Sequence, residues 1–151
     1  MKRLSVGIIV AISLSLPAFG QGVDPLIGTW KLNLEKSTGV IGFRSLTLTW
    51  SGEGQNLIDT AEGVTTQGQP FKAVFRHIYD GQPHPTTGSA DYDSSSYTRI
   101  GNTINIVRFK QGKVVEIGQA VIVPGKTYTL TLEDIDANNQ VTHSVGVYDR
   151  Q

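Results

Sequence analysis

The chain has 151 residues and carries 13 basic and 13 acidic side chains, so its formal net charge is zero at pH 7. Because there is no basic excess to attract phosphate groups, we expect no nucleic acid partner. Cysteine is absent, which excludes disulfide bonds and thiolate metal ligands. The fold must therefore depend on burial and on hydrogen bonding.

Residues 1–20 have the pattern of a secretory signal peptide. Lys2 and Arg3 precede an apolar run over residues 4–16, and residues 17–20 include the small side chains that a signal peptidase requires. The run is shorter than the ~20 residues that span a bilayer, so we expect cleavage after Gly20 and no membrane span afterwards. Residues 21–151 are then a single exported domain, either periplasmic or secreted.

The stretch 26–34 is the first predicted strand. Its residues alternate between two faces, as expected for a half-buried strand. Gly28 removes a side chain where another group approaches closely, and Trp30 needs packing partners and an acceptor for its indole N–H. The pattern predicts that Trp30 plugs one end of a barrel while Gly28 makes room beside it. An ordinary core tryptophan next to a glycine bulge is the alternative.

The rest of the chain reads as strand after strand. Further strands are predicted at 43–50, 55–61, 64–67, 71–79, 94–100, 103–110, 114–123, 127–135 and 141–150. Short turns rich in glycine and asparagine join them, and no segment has helical periodicity, which favours an antiparallel meander. Closure removes the two exposed edges of such a sheet. We expect an all-β fold, an antiparallel up-and-down barrel of about eight to ten strands, with an open two-sheet sandwich as the alternative.

The first strand also carries a family resemblance. Residues 27–32, Ile-Gly-Thr-Trp-Lys-Leu, resemble the Gly-x-Trp opening of lipocalins and, more closely, the Gly-Thr-Trp-Lys-Leu of fatty-acid-binding proteins, both in the calycin superfamily. The whole chain resembles a group of small exported bacterial lipocalin-like proteins. The segments that carry this second resemblance are 28–33, 36–37, 79–85, 112–115, 125–126 and 147–150. The resemblance implies a lipocalin-like barrel and an exported location, and no particular chemistry.

The chain departs from these families near its end. Fatty-acid-binding proteins hold a carboxylate with Arg-x-Tyr on the last strand, whereas the matching positions here are Gly146 and Tyr148. The resemblance therefore does not transfer that carboxylate site. In lipocalins a late arginine packs over the conserved tryptophan, and Arg150 is the candidate for this role against Trp30. A frayed terminal charge is the alternative.

His77, Arg108 and His143 each share a predicted strand face with apolar residues. These are Phe71, Ala73 and Phe75 beside His77, Ile104 and Ile106 beside Arg108, and Val141, Val145 and Val147 beside His143. If those faces point inward, the interior combines apolar walls with a few polar groups, as ligand cavities do. Phe75 and Tyr148 are candidate ligand contacts as well. Because each polar group lies near a strand end, a solvated rim is the alternative.

Residues 80–93 form a predicted long loop that could cover a mouth of the barrel. Long loops in compact domains are often functional, and the strongest candidates for ligand contact are Tyr79, directly before the loop, and His84 within it. A solvated connection stiffened by two prolines is the alternative.

Metal and catalytic motifs are weak throughout the sequence. The three histidines lack short ligand spacing, and residues 91–94 lack the glycine and the later glutamate of a calcium loop. There is no Gly-x-Ser-x-Gly and no phosphate-binding loop before a helix. We therefore expect no metal, no cofactor and no catalytic residue.

These patterns favour an exported, non-enzymatic protein that holds a small apolar or amphipathic molecule inside a barrel. One alternative is a small isomerase or hydrolase that uses an interior histidine. Another is an interaction or inhibitor module that works through its loops and has a solid core. A ligand-sized cavity separates the first two from the third, and a histidine bonded to a carboxylate inside it would favour the enzyme. The sequence specifies neither the ligand nor the oligomeric state.

Overall fold

A computed structural model of the protein describes residues 23–54 and 56–151, and the predicted signal peptide lies outside these residues. The described residues form eleven strands: β1 Gly28–Leu32, β2 Thr38–Gly39, β3 Phe43–Glu53, β4 Asn56–Thr65, β5 Pro70–Ile78, β6 His84–Pro85, β7 Ser94–Ile100, β8 Thr103–Lys110, β9 Lys113–Val123, β10 Thr127–Ile135 and β11 Val141–Arg150. Within these ranges no helix is long and apolar enough to cross a membrane.

The strands form one antiparallel sheet in the order β5-β4-β3-β1-β11-β10-β9-β8-β7-β6, with β2 beside β11. The first strand pairs with the last, with Trp30 opposite Arg150 and Leu32 opposite Tyr148. This pairing joins the two halves of the meander and curls the sheet into a barrel. The predicted all-β, up-and-down barrel is confirmed, and the open sandwich is wrong.

The barrel closes between β5 and β7 through a short bridge instead of a full strand ladder. The amide of Val74 donates to the carbonyl of Thr87 at 3.0 Å, and the amide of Thr87 donates back at 3.3 Å. Gly88 (φ 89°) presses against β5 so closely that a Cβ there would lie 2.1 Å from the Lys72 carbonyl oxygen. Part of the predicted loop 80–93 therefore fills the seam of a nearly closed barrel.

One boundary differs from the sequence prediction for a steric reason. The predicted pair 55–61 and 64–67 is the single strand β4, which continues through Gly63. A Cβ at Gly63 would lie 2.1 Å from the Ser45 carbonyl oxygen, beside the bulge that β3 forms between Phe43 and Ser45. The glycine permits close approach of the two backbones and does not end the strand.

The end of the barrel near the start of β1 is plugged by Trp30. The side chain is fully buried, and its Nε1 donates to the carbonyl of Leu26 at 2.8 Å. The guanidinium of Arg150 lies 5.2 Å from the centre of the Trp30 ring and donates to the carbonyls of Pro25 (2.9 Å) and Ile27 (2.7 Å). Gly28 (φ 127°) makes room for it, since a Cβ there would lie 3.0 Å from Arg150 Nη2.

Replacing Arg150 by methionine should destabilise the protein by about 1–2 kcal/mol, because the substitution removes two charge-assisted hydrogen bonds and the cation–π contact. Chemical denaturation measures this loss. The matched control is Arg76→Met, at an exposed position of β5, where we expect a change below about 0.5 kcal/mol. Equal effects of the two substitutions would contradict the assigned role of Arg150.

Candidate functional site

A cavity of about 610 Å³ occupies the end of the barrel opposite Trp30. It lies where β1, β4, β8 and β10 end and where β3, β5, β9 and β11 begin, which is one rim of the antiparallel sheet. Its apolar lining consists of Leu32, Val40, Ile41, Phe43, Phe71, Val115, Leu130, Leu132 and Ile135. The polar side chains in the lining are Thr65, Gln67, Asp91, Tyr92, Arg108, Glu116, Asp134, Asp136, Thr142, Ser144 and Tyr148.

A buried ion pair borders the interior side of this cavity. Arg108 and Glu116 are cross-strand partners on β8 and β9, and Arg108 Nη1 donates to Glu116 Oε1. Both residues are buried. The guanidinium lies 4.6 Å from the ring centre of Tyr92 and 5.0 Å from that of Phe75. Within the described part of the chain Arg108 Nε has no hydrogen-bond partner.

Carboxylates dominate the charge of the cavity. Asp134 lies directly across from Glu116 on β10, and Asp91 and Asp136 also line the cavity. Burial raises the pKa of Glu116 to about 7; the Arg108 guanidinium opposes this rise and Asp134 adds to it. The cavity mouth is therefore acidic, while most of the surface that lines the cavity is apolar.

The other half of the barrel is packed with aromatic side chains around two buried titratable groups. The His77 ring lies 3.9 Å from the ring of Tyr97 and 4.3 Å from that of Trp50, measured between centres. Among the described residues neither ring nitrogen has a partner. Burial lowers the pKa of His77, and Arg108 and Arg99 lower it further. The imidazole is therefore neutral at physiological pH.

Asp59 is the second buried titratable group of the packed half. Burial raises the pKa of its carboxyl to about 8, and the charge of Arg108 opposes this rise. Its Oδ1 has no partner within the residues that the structure describes. The carboxyl is therefore mostly protonated at pH 7.

Two of the candidate ligand residues, Arg108 and Tyr148, line the cavity. Phe75 and His77 also point into the barrel, but they lie in the packed half and are not part of the lining. Tyr79 lies outside the lining too, with the Arg99 guanidinium 5.5 Å from its ring centre. A role for these side chains in ligand binding stays a prediction.

His84 lies in the segment between β5 and β7 and not at the cavity. Its Nε2 lies 3.0 Å from Asp80 Oδ1, and neither residue lines the cavity. Ligand contact by His84 likewise stays a prediction.

The expectation that His143 faces the interior is wrong. Its side chain is 68% exposed and lies on the outer surface, with Nδ1 3.5 Å from Glu133 Oε1. The register of β11 turns Ser144, Gly146 and Tyr148 inward instead. The valines that suggested the opposite face point outward, because β11 pairs with β1 and β10 in a register that places Tyr148 opposite the buried Leu32 and Tyr128.

Sequence reasoning missed the two buried carboxylates. Glu116 lies on the same face of β9 as Gly118, Ala120 and Ile122. Asp59 lies on the same face of β4 as Leu57 and Ala61. A lone carboxylate on an otherwise small or apolar strand face was the available signal. No group of three or more histidine, aspartate or glutamate side chains in residues 23–54 and 56–151 is placed to hold a metal ion.

The raised pKa of Asp59 predicts a stability change with pH. Because the folded protein holds this proton up to about pH 8 and the unfolded chain releases it near pH 4, the stabilisation is full below pH ~4 and is lost as the pH rises to about 8. Glu116, with a pKa of about 7, adds a smaller part of the slope near pH 7 that fades towards pH 8, whereas Asp59 contributes up to ~1.4 kcal/mol per pH unit.

Asp59→Asn should remove most of that slope between about pH 7 and 8, as measured by urea denaturation at several pH values. Asp80→Asn is the matched control, since Asp80 is exposed and the Gln82 amide lowers its pKa. The control should keep the slope whatever its effect on overall stability. An unchanged slope in Asp59→Asn would contradict the assignment.

Comparison with known proteins identifies the fold. The chain matches no protein-family model and no curated protein. The zebrafish ileal bile acid-binding protein, solved in complex with cholic acid, is 11% identical over 85% of this chain and 100% of its own, with a TM-score of 0.55. Rv2717c from M. tuberculosis is 16% identical over 84% of this chain and 93% of its own, with a TM-score of 0.51. This protein therefore has the calycin fold, a nearly closed antiparallel β-barrel.

Proposed function

We propose that the protein binds a small apolar or amphipathic molecule in the cavity at the open end of its barrel. The observation that carries this proposal is the cavity of about 610 Å³ with mainly apolar walls. Ligand cavities commonly have volumes of about 300–1,000 Å³ and combine such walls with a few polar groups. Here the polar groups include Arg108, Glu116 and Tyr148.

The contrast between the two halves of the barrel supports this location. Around Trp30 the interior is filled by large buried side chains, including Trp50, Tyr97 and Tyr128. At the other end the inward position of Ser144 holds only a small side chain, and Gly146 has none, although the ring of Tyr148 lies against it. Small residues at inward positions leave space where the packed half has rings. The bile acid-binding neighbour, solved with cholic acid, supports the view that a barrel of this type can hold an amphipathic molecule.

We propose binding without catalysis. The interior histidine, His77, does not line the cavity, and within the described ranges its ring has no hydrogen bond to a carboxylate. A general base needs hydrogen-bond reach of the proton that it takes from the substrate. The solid-core interaction module has less support, because the barrel contains a ligand-sized cavity.

We also propose that the protein is exported, to the periplasm or to the medium. The support is the sequence pattern of residues 1–20, with a basic start, an apolar run and small residues before Gln21.

Filling the cavity should abolish ligand uptake. Ser144→Phe places a phenyl ring inside the cavity, and we expect the affinity for a hydrophobic fluorescent dye to fall at least about tenfold. Fluorescence titration measures the affinity. The matched control is His143→Phe, the preceding residue on the outer surface, which should bind like the wild type. Thermal unfolding verifies that both variants are folded.

Wild-type protein without dye uptake would contradict the proposal, and so would equal binding by the two folded variants. If Ser144→Phe does not fold, Leu132→Phe is the second variant, because Leu132 also lines the cavity and is only partly buried.

The export proposal predicts that the mature protein begins at Gln21. The full chain is expressed in a bacterial host, and N-terminal sequencing of the periplasmic and extracellular fractions identifies the first residue. Deleting residues 1–20 is the control and should retain the protein in the cytoplasm. Recovery of the full chain with its own N-terminus from the cytoplasm alone would contradict export.

A further inference from the structure

We infer that the cavity prefers amphiphiles with a cationic head group, such as a protonated amine, over anionic ones with the same apolar tail. This inference rests on the proposed function and adds the charge of the ligand to it. The evidence is the charge of the side chains that line the cavity and the pairing that some of them already have.

The lining contains four acidic residues and one basic residue. The acidic residues are Asp91, Glu116, Asp134 and Asp136, and the basic residue is Arg108. The guanidinium of Arg108 is already paired with Glu116. The charge that remains for a ligand is therefore negative, and like charges brought together at a binding site cost several kcal/mol.

An anionic head group is disfavoured in two ways. It must pass the carboxylates of Asp91, Asp134 and Asp136 at the cavity mouth. To gain a cation it must then displace Glu116 from Arg108. Glu116 is buried, and breaking a buried ion pair leaves an uncompensated charge away from water.

A cationic head group meets neither obstacle. An ammonium has three donors and no acceptor, and the carboxylates of Glu116 and Asp134 lie across from each other on β9 and β10. A head group beside this pair gains two acceptors and leaves the bond from Arg108 Nη1 to Glu116 Oε1 intact. The apolar tail can then pack against side chains such as Ile41, Phe71 and Leu130. Site and ligand would have complementary charge.

The test compares three amphiphiles with twelve-carbon chains: dodecylamine, dodecanol and dodecanoate. Each displaces a hydrophobic dye from the protein below its micelle-forming concentration, at about pH 8, where Glu116, with a pKa of about 7, is ionised. We expect dodecylamine to bind at least about tenfold more tightly than dodecanoate, with dodecanol between them. Raising the ionic strength to about 0.5 M should reduce the difference in affinity between dodecylamine and dodecanoate, because salt screens the carboxylates at the cavity mouth.

Glu116→Gln should reverse the preference, since Arg108 then has no carboxylate partner in the pair. We expect dodecanoate to gain at least about tenfold in affinity while dodecylamine loses affinity. The matched control is Glu133→Gln, which removes one negative charge from the neighbouring outward position of β10 near His143 and should keep the wild-type order. If Glu116→Gln does not fold, Asp134→Asn, which retains the ion pair, should weaken dodecylamine several-fold.

The outcomes separate this inference from the proposed function. If neither the dye nor any of the amphiphiles binds, ligand binding in the cavity is wrong and the charge preference is wrong with it. If all three bind and dodecanoate binds as tightly as dodecylamine or more tightly, the cavity binds ligands and the inferred preference alone is overturned.

Discussion

The pairing of the first strand with the last is the interaction on which the rest of the structure depends. It places Trp30 opposite Arg150 in the ladder, and the guanidinium of Arg150 donates hydrogen bonds to the carbonyls of Pro25 and Ile27. The chain entering β1 is thereby tied to the chain leaving β11. Without this tie the meander would have two free edges, and its interior would be open to water along one side. Every inward position, and so the cavity, follows from this closure.

Closure divides the interior into two unlike halves. The half nearest Trp30 is filled, and it accommodates His77 as a neutral ring and Asp59 as a largely protonated carboxyl, because burial penalises the charged form of each. The other half contains the ion pair of Arg108 and Glu116, in which the guanidinium opposes the effect of burial on the pKa of the carboxyl, and further carboxylates line the cavity. A ligand in the open half therefore meets apolar walls and ionised groups together.

Much of the fold could be predicted from the sequence, because alternation and turn residues are local signals. The bounds of β7, β8, β10 and β11 agree with the predicted strands, and the contact between Arg150 and Trp30 that the family resemblance implied is present. The face of β11 could not be predicted in this way. Its valines are as apolar as a core face, and only the non-local register with β1 and β10 determines which side of this strand points inward.

Less of the site could be predicted from the sequence, because it too depends on non-local pairing between strands. Arg108 was identified by its apolar neighbours, but its partner Glu116 comes from another strand, and their juxtaposition depends on the register between β8 and β9. A bulge in the same ladder, at Phe109, is invisible in the alternation pattern. The cavity itself is lined by residues of β1, β3, β4, β5, β8, β9, β10 and β11, and no single segment reveals it.

The central claim is that the open half of the barrel holds a small molecule. Native mass spectrometry of the protein purified from its own host tests it most directly. The account predicts a species heavier than the mature chain by the mass of one amphiphile, which gentle collisional activation converts to the bare protein. A protein that is recovered only in the bare form and that also fails to take up a hydrophobic dye would contradict the account.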